Sequence, residues 1–369
     1  VQDGKVVDGE TRWVIESKSI ALVRSDRVSD RRAAAQALAK LNSERVIAPL
    51  ARLALDEVDD VRRIATSALN IFGDSAKLVL ASILDDPYLK PRTRLRLGYL
   101  LAQLGDSRPG VLDFNWGEDY WCLVAAGSYK FQGQNAELGY DFWISKYPIT
   151  CAQYKLFLTD HLGYSNDQCW QDLHSDALKF RSKTQVLGLA NHPVEHVNWY
   201  EAMAFCRWLS AQWEQGVISL PEAIPTNYEI RLPMETEWEK AASWDTQSKR
   251  YRIFAYGDSF DANRCNSREE RTAYTLAAPS ADHTTAVGVY LRGASPCGAL
   301  DMNGNVWEWC LNEYYTGKLN LQSSAPRCMR GGSWQDVGYN INNSYRYSYL
   351  LPEDRGANGG FRIVAAVRI

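Results

Sequence analysis

Apolar positions recur at helical spacing through the first third of the chain and lose that spacing beyond it. Over residues 25–106, Ala34, Ala37, Leu38 and Leu41 fall on one face of a helix that Ser29 or Asp30 can cap. Val46, Ile47, Leu50, Leu53 and Leu55 mark a second helix. A third starts at Asp59-Asp60-Val61-Arg62-Arg63, runs through Ile64, Ala65, Ala68 and Leu69, and stops at Gly73; a fourth covers Ala76 to Leu84. Pro91 opens the last one, which ends at Leu104 before Gly105-Asp106. Residues 1–24 carry the apolar runs Trp13-Val14-Ile15 and Ile20-Ala21-Leu22-Val23, fit no single element and stay unassigned. After Arg108-Pro109-Gly110 the pattern becomes short extended runs between turns rich in Gly, Asn, Tyr and Trp, which predicts an irregular α+β domain.

The helical part repeats. Arg32, Ala34, Ala37 and Leu38 recur 31 residues later as Arg63, Ala65, Ala68 and Leu69, and Gly73-Asp74 recurs as Gly105-Asp106. A two-helix unit of this length, with Asp-x-x-Arg near the start of its second helix, resembles a HEAT-type repeat, in which each helix pair hides its apolar face only against the next pair. An irregular helical bundle is the alternative. Neither arrangement supplies chemistry.

The second part carries seven motifs in a fixed order: Leu123–Tyr129; Phe142–Thr150 with Gln153-Tyr154; Asn191–Val194 with Val197–Leu209; Arg231–Glu239; Ser295–Trp309; Arg330–Trp334; and Gly360–Val364. They resemble the formylglycine-generating enzyme (sulfatase-modifying factor) family. The resemblance implies an α+β fold: a C-type lectin fold of the formylglycine-generating-enzyme type over residues 112–369, preceded by an all-α HEAT-like helical repeat domain over 25–108. On the residues alone, Trp199, Trp238, Trp307 and Trp309 are core anchors. Arg231 and Arg346 should pair with buried carboxylates such as Glu235 or Glu308, and Gly304, Gly331 and Gly332 should permit tight turns.

The family's oxidase is expected to place copper-binding cysteines at the second and seventh positions past the aromatic of the Gly-Gly-Ser-aromatic turn. Here those positions are Asp336 and Ile341. Neither can form the thiolate that such chemistry needs, so the sequence predicts no copper and a protein that is not an enzyme. The three-histidine iron site of the family's sulfoxide synthases has no counterpart in the helical part, which contains none of the five histidines. His192 and His196 have helical ligand spacing, but Pro193 lies between them. One metal remains by resemblance: a structural Ca2+ on the Asp301 side chain, the Gly304 and Val306 carbonyls and the Glu308 carboxylate, hard oxygen donors in a loop. An ordinary turn with Glu308 salt-bridged is the alternative.

Residues 335–358 hold four Tyr and four Asn among Ser and Gly, between the fixed-looking frames Arg330–Trp334 and Gly360–Arg362. Tyr offers contact area at low entropy cost, and Ser, Asn and Gly offer adaptable polar contacts, as in antibody paratopes. Tyr345, Tyr347 and Tyr349 share one face if the segment is extended. A frame of this kind at the C-terminus resembles variable proteins of diversity-generating retroelements, which turn adenine-rich Asn codons into mixtures of Tyr, Ser, Asp, Gly, Ile, Leu and Asn. The resemblance implies a variable region over 330–362 and a non-catalytic, sensor-like recognition surface. Its ligand-binding residues would be Gln335, Asp336, Tyr339, Asn340, Asn342, Asn343, Tyr347, Tyr349, Leu350 and Asn358, all largely facing solvent.

Composition narrows the partner. The chain has 369 residues, 46% hydrophobic and 23% charged, with a net charge of −3, which gives no general attraction for nucleic acid or anionic membrane. No signal-peptide pattern or membrane-length apolar run stands out. Its eight cysteines are scattered, without a C-x-x-C pair, and read as buried small residues, which suits a reducing, cytoplasmic compartment. The expected partner is a protein or other macromolecule, with no nucleic acid and no membrane insertion. By analogy with sensor domains beside HEAT-like repeats, the chain would suit a larger signalling protein. A divergent oxidase, or a scaffold that binds through its helical repeats, are the competing functions.

Overall fold

Among the described residues, six α-helices form the N-terminal unit: α1 (Gly9–Leu22), α2 (Val28–Leu38), α3 (Ile47–Leu53), α4 (Asp59–Leu69), α5 (Gly73–Leu84) and α6 (Pro91–Leu104). They come from a computed structural model that describes residues 9–182, 187–269, 284–347 and 350–369. The chain separates after Ser107 into this unit and a second that runs from Arg108 to Ile369. The apolar stripe read from the sequence is the core: Ala34, Leu38, Leu50, Val61, Ala65, Leu69, Leu80, Leu97 and Leu101 are buried. The helix start expected at Ser29 or Asp30 lies earlier, because α2 begins at Val28 and the Asp30 carboxylate instead accepts from the Ser25 hydroxyl at 2.7 Å.

The repeat has a physical signature in its arginines. Arg31 Nη1 donates to the Ser25 and Asp26 carbonyls at 2.9 and 3.2 Å, and Arg62 Nη1 donates to the Asp56 and Glu57 carbonyls at 2.7 and 2.8 Å. Arg94 does the same for Pro87 and Leu89 at 3.2 and 3.0 Å. Each guanidinium ties down the loop before its own helix, whose carbonyls have no helical partner. The stretch Asp59–Leu84 does have the length and hydropathy of a membrane span, contrary to the sequence expectation. Gly73, at φ +50°, divides it into α4 and α5, both of which pack on α3.

The second unit is built on two small sheets. Strands β1 (Trp121–Val124), β4 (Phe142–Ser145), β5 (Tyr228–Arg231) and β11 (Val364–Val367) form an antiparallel sheet in the order β1-β4-β11-β5, so the last strand lies between two earlier ones. Strands β8 (Trp307–Glu313), β9 (Arg327–Arg330) and β10 (Gly359–Gly360) form the other, in the order β10-β8-β9. Hairpins β2 (Gly127–Phe131)–β3 (Gln134–Leu138) and β6 (Trp244–Asp245)–β7 (Arg250–Tyr251) lie outside these sheets. The helices described in full are α7 (Cys151–Thr159), α8 (Trp199–Glu214) and α9 (Glu235–Ser243). The family-like motif Asn198-Trp199-Tyr200-Glu201 is a capping box. Asn198 Oδ1 accepts from Glu201 N at 2.9 Å and Glu201 Oε2 accepts from Asn198 N at 3.1 Å, which starts α8 at a fixed place. Trp199, Trp238 and Trp309 are fully buried, and their indole N–H groups reach Cys310 O, Glu308 and Val197 O.

Candidate ligand-binding cleft

The frame around residues 335–358 is held by buried ion pairs. Arg330, fully buried, donates to Glu235 at 2.7 Å, to Glu239 at 2.5 Å and to the Asn343 carbonyl. Arg346 adds a second contact to Glu235 at 2.7 Å. Burial pushes the Glu235 carboxyl up, but the Arg330 and Arg346 guanidiniums outweigh it and hold it below the usual range. Arg362 grips Glu308 through Nε and Nη2 at 2.6 and 2.8 Å and donates to the Ser145 and Leu300 carbonyls. Arg231 pairs with Glu237 rather than with the two acids expected for it. The Gly331-Gly332 turn is closed from inside: Gly331 O accepts from Gly304 N at 2.8 Å, and a Cβ on Gly332 (φ +73°) would lie 2.2 Å from Ile341 Cγ2.

This frame opens a cleft of about 490 Å3. Trp307 and Met329 form its floor, and Tyr347, Leu350 and Val337 its apolar walls. Tyr347 lies against Trp307 with ring centroids 5.1 Å apart and bridges Met329 through the backbone. Gln335, Asp336, Asn340, Asn358, Gly356, Ala357 and Arg268 complete the lining.

Six of the ten residues expected to bind ligand therefore line one cleft: Gln335, Asp336, Asn340, Tyr347, Leu350 and Asn358. Tyr339 lies outside it, 77% exposed, with its ring edge-on to Tyr345. Asn342 closes its own turn, accepting from Ser344 N and Oγ at 3.0 and 2.8 Å. Asn343 corrects the expectation of solvent exposure: it is fully buried, donating to the Ala242 and Arg252 carbonyls at 3.2 and 3.0 Å and accepting from Asn303 at 3.0 Å. Its amide satisfies backbone groups that no strand or helix reaches. Tyr349 lies outside the described residues.

Sequence reasoning missed Arg268, Met329, Val337, Gly356 and Ala357, and took Trp307 only as a core anchor. Val337, Gly356 and Ala357 sit inside the Tyr/Asn-rich segment, so position alone could have found them. Arg268 comes from a segment remote in sequence, docked by its backbone N–H to the Asp336 carbonyl at 3.0 Å, and no local pattern signals that.

Of the residues expected to hold calcium, Asp301, Gly304 and Val306 precede β8 and Glu308 stands in it, and the two carboxylates have other partners. Both Glu308 oxygens are held by Arg362, and Oε2 also accepts from Trp238 Nε1 at 2.6 Å. Asp301 accepts from Gly288 N at 2.6 Å, and burial raises its carboxyl to about 6. Beside Gly304 and Val306, Asn303 and Asn305 tie the loop to Ala255, Ile341 and Thr285. Among the described residues no group of three or more His, Cys, Asp or Glu side chains is arranged to hold a metal ion. At the two positions where the family's copper thiolates are expected, Asp336 lines the cleft and Ile341 is buried under the Gly332 turn. Cys328 points away from Met329 into the other core cluster, beside Cys310.

Residues 118–367 match the family described as sulfatase-modifying factor enzyme 1-like domain, which is more than half of the chain. The chain belongs to that family. Residues 18–105 match HEAT repeats. The second unit is thus a sulfatase-modifying factor enzyme 1-like domain with a C-type lectin fold. A hercynine oxygenase of Mycolicibacterium thermoresistibile is 28% identical over 236 residues, 56% of this chain and 46% of the relative. The formylglycine-generating enzyme of Streptomyces coelicolor is 29% identical over 200 residues, 49% of this chain and 55% of the relative. The chain spans about half the length of the curated relatives it matches. Among solved structures, Treponema denticola variable protein 1 aligns at 20% identity with a TM-score of 0.45, covering 67% of this chain and 94% of that one. CarF aligns at 20% identity with a TM-score of 0.46, covering 67% and 98%.

These relatives correct the expectation that the chain is not an enzyme. Proteins named as an oxygenase and as a formylglycine-generating enzyme match it at nearly 30% identity, so the family includes oxidising enzymes. Substitution of two cysteines does not by itself place a member outside catalysis.

Proposed function

We propose that the cleft over Trp307 and Met329 is a recognition site for a macromolecular ligand, carried by a variable lining on an invariant frame as in the variable proteins of diversity-generating retroelements. One observation carries the reading. Six residues of the Tyr/Asn-rich segment converge on a single cleft, while in the frame Gly332 is buried and Arg330, Asn343 and Arg362 are buried in bonds of their own. Lining side chains can change without breaking those bonds, and a rigid frame lowers the entropy cost of binding. The test is at the locus. A near-identical template repeat and a reverse-transcriptase gene should accompany the codons for 330–362, with differences between copies confined to lining positions. A locus with neither, and substitutions spread equally over the frame, would sink the variable-protein reading.

The named relatives favour a second reading, oxidation of a ligand held in the same cleft. It predicts oxygen consumption by the intact chain with a cysteine-containing peptide, in the presence of copper or iron, and loss of that consumption when Asn340 and Asn358 are made bulky.

A further inference from the structure

The cleft lining carries one cation and one carboxylate, and the two are not engaged alike. Asp336 lines it, but its Oδ2 accepts from the Ser333 N–H at 3.0 Å and from the Ser333 hydroxyl, so the carboxylate caps the frame. Asn358 donates to the same hydroxyl at 2.6 Å. Arg268 is the one cation among the lining residues; it is exposed, and among the described residues no carboxylate pairs with its guanidinium. Beneath it lies an apolar floor. Trp307 carries the Tyr347 ring at 5.1 Å and the Tyr345 ring at 5.9 Å, with the Met329 thioether alongside. Rings gain from offset or edge contacts with such a floor, and a thioether adds to them. The Arg268 guanidinium, which no described carboxylate holds, offers a planar fork for a carboxylate.

Resting on the recognition reading above, we propose that the cleft takes an aromatic side chain flanked by a carboxylate on a peptide segment of the partner. The ring lies on Trp307 and Tyr347, the carboxylate meets Arg268, and Gln335 and Asn340 serve the peptide backbone. The volume, about 490 Å3, suits one ring with its neighbouring residues.

A displayed library of random heptapeptides, panned on the intact chain and on Arg268→Glu, tests this. Hydrogen exchange at Trp307–Met329 and Tyr347 locates each selected peptide. The wild-type chain should enrich Phe, Tyr or Trp next to Asp or Glu, and Arg268→Glu should replace the acid by Lys or Arg. Arg268→Ala should weaken the best acidic peptide by about tenfold or more, the size of a lost charge-assisted hydrogen bond. Arg268 is exposed, so an unchanged melting temperature will exclude misfolding. Peptides that protect the cleft but show the same consensus on both chains would overturn this inference and leave the recognition reading standing. If no selected peptide protects the cleft, both fall.

Discussion

Asn343→Ala separates frame from lining. The substitution removes two donors, to Ala242 O at 3.2 Å and Arg252 O at 3.0 Å, and one acceptor for Asn303 Nδ2 at 3.0 Å. Asn303 Nδ2 keeps its bond to Ile341 O at 2.6 Å, so its loss is partial. The two carbonyls have no such reserve in these bonds. At about 1–3 kcal/mol for each buried group left without its partner, the variant should lose about 3 kcal/mol. Exposed Tyr339→Ala should stay within about 0.5 kcal/mol. The assay is urea unfolding of the whole chain by tryptophan fluorescence. Of the 13 tryptophans only Trp13 precedes residue 108, so the signal reports the second unit even where the two units melt separately. With a urea slope of about 3 kcal/mol per molar, the midpoint should fall by about 1 M. An Asn343→Ala midpoint equal to wild type, with loss of ligand binding, would refute this reasoning and return Asn343 to the surface.

Glu308→Gln leaves the buried Arg362 guanidinium without its charge partner and should cost the second unit about 3–5 kcal/mol by the same urea assay. Calcium should neither rescue it nor raise the wild-type melting temperature; a calcium-dependent rise would support the metal expectation instead. Glu195 carries a pH effect. Burial raises its carboxyl to about 7 against hydrogen bonds from Trp334 and Thr284 that lower it. Between about 4.5 and 7 the folded state keeps a proton that the unfolded chain releases, so this group's stabilisation is full below that window and is lost as pH rises through it. Glu195→Gln should therefore melt higher than wild type at pH 8 and alongside it at pH 4; a gap of equal size at both pH values would show that ionisation plays no part.

The periodic part of the sequence was the most legible. Helical spacing located five of the six N-terminal helices, because one apolar face is all a stacked helix needs. The first, Gly9–Leu22, escaped because its apolar residues are not confined to one face and Trp13 and Val14 remain exposed. In the second unit the motifs gave the fold by resemblance, and the Tyr/Asn composition gave the place of the cleft. What composition could not do was tell Asn340 from Asn343. Three residues apart and chemically identical, one lines the cleft and the other closes the core, and the difference lies in Asn303, Ala242 and Arg252. Glu308 was expected from the resemblance to bind a cation; in the fold it stands in β8 with both oxygens held by Arg362, 54 residues away, a partner that no local pattern signals. Arg268 was invisible because only the tertiary fold brings its segment to Asp336.

The central claim, that recognition can change while the fold does not, is tested most directly by randomising Gln335, Asn340, Tyr347 and Leu350 together, leaving Asp336 and Asn358 to hold Ser333, and measuring thermal unfolding of individual members by tryptophan fluorescence. Most members should melt within a few degrees of the parent, since these side chains line the cleft and none of them makes the buried bonds of the frame. A parallel library at Arg330, Gly332, Asn343 and Arg362 should yield almost no folded members. Cleft variants that unfold as often as frame variants would contradict the account.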